Sequence, residues 1–153
     1  MKKAKDNVFN VDTPEESSGF LLWQVTNLWQ REIKKALEAY DLTHSQFVLM
    51  ASILWLARSE KNITQVLLSS HTKIDPMTTS TVLRTLQQKG LLKREEHSTD
   101  TRAKIVRLTT AGEKTAKLAV KAVAVFDDNF FEPLGKNTKD FNKRLNLLLV
   151  REK

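Results

Sequence analysis

Apolar side chains recur every three or four positions along most of this chain, which predicts a mainly helical protein. Leu22, Val25, Trp29, Ile33, Ala36 and Tyr40 form one stripe on a first helix from about Ser18 to Tyr40, and Leu21, Leu28 and Leu37 widen it. A stripe this wide can bury two sides, one on its own domain and one on a partner chain. A second helix opens at Thr43, where Thr-x-x-Gln (Thr43 and Gln46) spells a capping box and Leu42 and Phe47 a hydrophobic staple. Its inward set is expected to be Phe47, Met50, Ala51, Leu54 and Ala57. A third helix begins near Asn62 or Thr64 and ends near His71.

The fourth helix has the clearest punctuation. Asp75 is a good N-cap, Pro76 occupies the first helical position, and Gly90 ends the helix with a left-handed residue. Thr79, Val82, Leu83 and Leu86 mark its buried side. Its other side carries Met77, Ser80, Thr81 and Arg84, with Thr78 near the start. The pattern then changes to two short strands, about Leu91–Glu95 and Lys104–Leu108, joined by a polar turn. Thr110 and Glu113 suggest a second capping box for a fifth helix, which runs to about Phe131 and breaks at Glu132-Pro133-Leu134-Gly135. A last helix from about Thr138 to Val150 has Phe141, Leu145, Leu148 and Leu149 as its apolar set. Residues 1–17, charged and poor in apolar side chains, read as a flexible N-terminal arm.

Charge sharpens this picture. The net charge is +7, and it is unevenly spread. Residues 1–71 balance eight basic against eight acidic side chains, whereas residues 72–107 carry eight against four. The excess is densest on the fourth helix and the hairpin. A helix N-terminus beside a cationic hairpin suits a polyanion.

On those residues, Thr78, Ser80 and Thr81 are short donors and acceptors for base edges or the backbone, and Met77 or Pro76 offers apolar contact to a thymine methyl. Arg84 either pairs with guanine or contacts phosphate. Lys73, Lys93, Arg94 and Lys104 position rather than specify. Arg102, at the hairpin tip, suits a narrow minor groove. Arg94 and Arg107 have an alternative use, as internal partners of Glu95, Glu96 or Asp100.

Other chemistry is thin. There is no cysteine, so disulfides and thiolate sites are excluded. His44, His71 and His97 are scattered without ligand spacing, so no metal and no cofactor are expected. No nucleophile–base pair, glycine-rich phosphate loop or telling carboxylate pair points to an enzyme. The apolar run Val48–Ala57 contains Ser52 and is too short for a membrane span, and no secretory signal precedes it. A cytoplasmic protein is the expectation.

Several segments, in order, resemble one family. Leu42–Phe47 (Leu-Thr-x-x-Gln-Phe), Gln87–Arg94 (Gln-Gln-Lys-Gly-Leu-Leu-Lys-Arg), Asp100–Arg102 (Asp-Thr-Arg) and Leu108–Gly112 (Leu-Thr-Thr-Ala-Gly) are similar to MarR-type transcription regulators. The likeness covers about residues 18–150. It implies a mainly α protein with a small β-hairpin wing, a winged helix-turn-helix lobe over about 42–109, and dimerisation by helices at about 18–40 and 110–150.

The resemblance further implies a homodimeric repressor that binds an inverted-repeat operator in double-stranded DNA and responds to a small aromatic or anionic effector. It assigns Arg102 to DNA and Asp100 to shaping the wing. The family's usual basic residue early in the recognition helix is replaced here by Thr81. Phe20, Trp23, Trp29, His44 and Trp55 are the candidates for an effector crevice, although aromatics at helical spacing are more often plain core. The competing reading is a winged-helix module that binds protein instead of DNA, against which the basic wing argues.

Overall fold

The computed structural model describes residues 8–100 and 103–150. Within them, six α-helices and one hairpin follow in the order α1 (Ser18–Leu37), α2 (His44–Leu56), α3 (Gln65–Thr72), α4 (Pro76–Gln88), β1 (Leu92–Glu96), β2 (Lys104–Leu108), α5 (Thr110–Phe130) and α6 (Thr138–Leu149). The first regular helix gives way to a 3-10 turn at Glu38–Tyr40, which Asp41 ends in the left-handed region at φ 53°.

Helix α2 is the hub. Both halves of its capping box form: the Gln46 N–H donates to Thr43 Oγ1 at 3.2 Å, and the Thr43 N–H donates to Gln46 Oε1 at 3.1 Å. Leu42 and Phe47 are buried together in the core with Leu49, Met50 and Ile53. Helix α2 is thus covered on more sides than a single stripe predicts. Leu49 and Ile53 join the core, while Ala57, expected inside, is the exposed C-cap. The reason is position: α1, α3, α4 and α5 all pack on it, so no side of its middle faces water.

The hairpin pairs Leu92 with Leu108 and Glu96 with Lys104, so β1 starts one residue later than the pattern suggests. Its base is tied to the helices by backbone, with the Val106 N–H donating to the Ile63 carbonyl at 2.8 Å and a bridge between Thr64 and Ile105.

The cap of α5 differs from expectation. Thr109, not Thr110, accepts from the Gly112 N–H, at 3.0 Å. The Thr109 hydroxyl also donates to the Gly90 carbonyl at 2.7 Å, which anchors it in the cap position. Glu113 pairs instead with Lys117 at 2.7 Å. Gly112 lies so close to the Leu91 carbonyl that a Cβ there would stand 1.9 Å from its oxygen.

The ends of the chain are less covered. Among the described residues, Ile33 and Leu37 are the buried ones of α1, and α6 has none. Leu21, Leu22, Trp23, Val25 and Leu28 on α1, and Leu147 to Val150 at the chain's other end, remain exposed. Of the N-terminal arm, residues 1–7 lie outside the described residues; Pro14–Glu16 form a 3-10 turn. Among the described residues no helix is long and apolar enough to cross a membrane.

Candidate nucleic-acid interface

Helix α4 is presented by two well-built ends. Asp75 Oδ1 accepts from the Thr78 N–H at 2.8 Å. The Thr78 side chain and backbone together hold the Asp75 carboxyl below its ordinary value, which keeps the cap ionised. Just before it, Lys73 is left-handed at φ 64° and makes the tight turn from α3. Ser69 Oγ donates to the Ile74 carbonyl at 2.6 Å, and the Thr79 hydroxyl reaches the same oxygen at 3.4 Å. Thr79 is wholly buried, so this polar side chain belongs to the turn and not to a ligand.

The opposite end is fixed as firmly. Gly90 takes φ 74° and stops the helix. Lys89 reaches back to the Asp41 carbonyl and carboxylate and to Gln46. Leu83 and Leu86 hold the middle in the core.

What α4 leaves outside is the face anticipated from the sequence. Pro76, Met77, Thr78, Thr81 and Arg84 are exposed and Ser80 is half-buried, with Met77 80% exposed. The Thr81 hydroxyl is occupied with the Met77 carbonyl at 3.1 Å and can turn outward only by giving up that bond. Arg84 forms no ion pair among the described residues. Lys73 and Lys93 are also exposed and without ion-pair partners there.

The wing is more internally paired than its charge suggests. Lys104 lies 3.6 Å from Glu96, and Arg107 lies 4.0 Å from Glu95 and 3.5 Å from Asn62 Oδ1. All these groups are largely solvated, so the pairs are weak and yield readily to a phosphate. Arg94 is half-buried and hydrogen-bonded to Gln87 and Gln65. The tip turn centres on His97, whose Nδ1 accepts from the Thr99 N–H at 3.2 Å and the Asp100 N–H at 3.3 Å. Asp100 contributes its carbonyl, which accepts from the Ala103 N–H at 3.0 Å. Arg102 lies outside the described residues. The sequence excluded His97 only as a metal ligand and gave no sign of this turn role, because a lone histidine in a polar turn carries no distinguishing spacing.

The aromatic set divides. Trp29 and His44 meet edge to face at 4.8 Å. The Trp29 indole donates to Asp127 Oδ1 at 2.9 Å, which links α1 to α5. Asp127 was not anticipated; the signal is that a half-buried tryptophan needs an acceptor. Trp23 is 66% exposed on α1, Phe20 faces the N-terminal segment, and Trp55 is 61% exposed under the Arg58 guanidinium. A cavity of about 620 Å³ does open beside His44, lined by Gln30, Lys34, Glu38, Leu42 and Lys89 among others.

Burial holds the His44 ring below its ordinary value of 6.5, opposed in part by Asp127. The unfolded chain therefore binds this proton more readily than the folded one. The stability His44 contributes is complete above pH 6.5 and declines as pH falls from there toward the folded value. Urea midpoints measured from pH 7.5 to about 5 should fall more steeply for the wild type than for His44→Gln. Identical profiles would show that His44 is not the titrating group.

A buried-turn helix pair, a presented second helix and a hairpin beside it define a winged helix-turn-helix protein. Residues 38–126 match the family described as ArnR1-like, winged-helix domain. The HTH-type transcriptional regulator YdcH of Bacillus subtilis (strain 168) is 38% identical over 139 residues, 91% of this chain and 94% of that protein. Two solved structures share the fold. The S. aureus MepR–DNA complex has TM-score 0.78 at 22% identity and covers 87% of this chain and 96% of that one. CouR from Rhodococcus jostii RHA1 bound to p-coumaroyl-CoA has TM-score 0.73 at 20% identity and covers 90% and 93%. The chain belongs to the ArnR1-like winged-helix family, whose relative YdcH is an HTH-type transcriptional regulator, and it shares the fold of MarR from E. coli.

Proposed function

We propose that this protein is a homodimeric repressor that reads an inverted-repeat operator and is released by a small effector. The observation that carries the reading is the outer face of α4. Pro76, Met77, Thr78, Thr81 and Arg84 stand in solvent, and Arg84 has no ion pair among the described residues, while the rest of the helix is locked at both ends. A face so rigidly held and so little used internally fits a major groove. Thr78, Ser80 and Thr81 would approach base edges or the backbone, and Arg84 a guanine or a phosphate. Pro76 or Met77 would meet a thymine methyl. Lys73, Lys93 and Lys104 would neutralise phosphates, with Arg102 beside them in the minor groove. MepR, of the same fold, has been captured on DNA.

The dimer is supported by the uncovered apolar side chains of α1 and α6. A two-fold pair would place its α4 helices about one helical turn of DNA apart. An effector would fit the cavity beside His44, whose lining sets Lys34 and Lys89 beside Glu38 and Asp41. CouR, similarly folded, binds an aromatic acyl-CoA. Such a regulator works in the cytoplasm, where the DNA is.

Selection of bound fragments from random duplex DNA tests the reading. The expected outcome is an inverted-repeat consensus, and recovery of no enriched sequence would favour a protein-binding module. On the selected operator, Arg102→Ala should weaken binding. It should also flatten the slope of log affinity against log salt by about one unit for each phosphate that Arg102 neutralises. Unchanged affinity and slope would remove Arg102 from the interface.

A further inference from the structure

Among the described residues, Arg94 is the one cation of the wing whose guanidinium bonds to both helices of the helix-turn-helix. From strand β1 its Nε donates to Gln87 Oε1 at 2.9 Å, near the end of α4. Its Nη1 donates to Gln65 Oε1 at 3.1 Å, at the first residue of α3. Three separate elements therefore meet on one planar, rigid group. The hairpin is tied to the α3 entry through the strand β2 backbone as well, by the bond from the Val106 N–H to the Ile63 carbonyl. The Thr64–Ile105 bridge, the bond from the Leu91 N–H to the Leu86 carbonyl and the buried Leu92 and Val106 hold the base of the hairpin. Arg94 adds a side-chain link from the middle of β1 to both helices, and such a link bears on the angle between wing and α4.

We infer that Arg94 is a positioning residue: it sets the angle between the recognition helix and the wing, and does not serve as a phosphate contact. The inference deepens the DNA-reading assignment above and rests on it. Two of the five guanidinium N–H groups are committed inside the protein, and the side chain is half-buried. Turning it toward a phosphate would break both bonds and remove the side-chain link between the wing and the two helices. Sequence-specific binding needs helix and wing to engage the duplex together, whereas non-specific binding needs only charge. Loss of Arg94 geometry should thus lower preference for the operator without lowering general affinity for DNA. Lysine keeps the charge but offers no planar fork, so it should not rescue.

The test titrates the selected operator and a random-sequence duplex over a salt series. The proteins are wild type, Arg94→Lys, Arg94→Ala, and Gln65→Ala with Gln87→Ala. Arg94→Lys and the glutamine pair are each expected to reduce operator preference about tenfold, with random-duplex affinity and salt slope unchanged. Combining them should add little further loss, since both break one link. Full preference in Arg94→Lys overturns the proposal. So does a slope reduced by about one per subunit in Arg94→Ala, which marks a phosphate contact. Equal loss on both duplexes with a lowered Tm marks a merely structural residue and also overturns it. A second measurement needs no DNA. The chain has no cysteine, so Met77→Cys and Ser98→Cys place spin labels cleanly on α4 and the wing. Their distance distribution should broaden in Arg94→Lys; an unchanged distribution refutes the link. If the wild type shows no preference between duplexes, the DNA-reading assignment fails, and the label distances still judge the link itself.

Discussion

Gly112→Ala is expected to destabilise the fold by about 3 kcal/mol, the upper end of ordinary overpacking. In a helix, alanine normally gains about 1 kcal/mol over glycine. Here the added Cβ would lie 1.9 Å from the Leu91 oxygen and 2.8 Å from its carbonyl carbon. Both are backbone atoms, so no side chain can rotate away. Relief requires α5 to lift from the start of the wing, and that strains two further bonds. The Thr109 N–H donates to this same Leu91 carbonyl at 3.1 Å, and the Thr109 hydroxyl donates to Gly90 at 2.7 Å. In a chain of this size such a loss lowers Tm by roughly 6–12 °C. Thermal and urea unfolding of the purified variant check it. A variant that melts at or above the wild-type temperature would mean the close approach is not maintained in solution.

Leu22→Asp should convert a dimer to a monomer and weaken operator binding on the order of 10²–10³-fold, because one half-site must then be held without the other. Leu22 is 54% exposed in the single chain, on the same helix as exposed Leu21, Val25 and Leu28. An aspartate there disturbs little of the chain's own core, which on α1 rests on Ile33 and Leu37. It does place a charge where a partner's apolar surface would lie. Sedimentation velocity should report the monomer, and fluorescence anisotropy with an operator duplex the weakened affinity. A monomer that keeps full affinity would refute two-fold reading of DNA, and an unaltered dimer would move the interface elsewhere.

Local signals were legible wherever a few neighbouring residues decide the outcome. Thr43 with Gln46, Asp75 with Pro76, and Gly90 each name a helix end by chemistry that acts within three or four residues, and each is found in place. The α5 cap was misplaced by one residue for a reason of the opposite kind. The local pattern favours Thr110, with Glu113 three residues on, whereas the Gly90 carbonyl, 19 positions from Thr109, holds Thr109 in the cap. The core face of α2 was half-legible, because a helix surrounded on all sides has no polar stripe to set its phase. At the interface, α4 supplied the expected outer face. The roles of His97, Lys89 and Asp127 depended on partners far along the chain or on turn geometry.

By itself, the sequence determined the order of helices and hairpin, the family, and the face of α4 that stays in water. These follow from periodicity, capping and charge, which act over a turn or two of chain. Only the tertiary structure decided which wing cations are engaged with the protein. Lys104 pairs across its own hairpin, whereas Arg94 binds two glutamines, one of them 29 residues away. It also decided why residue 112 is glycine. Both outcomes depend on distances between segments remote in sequence, which packing sets and composition does not encode.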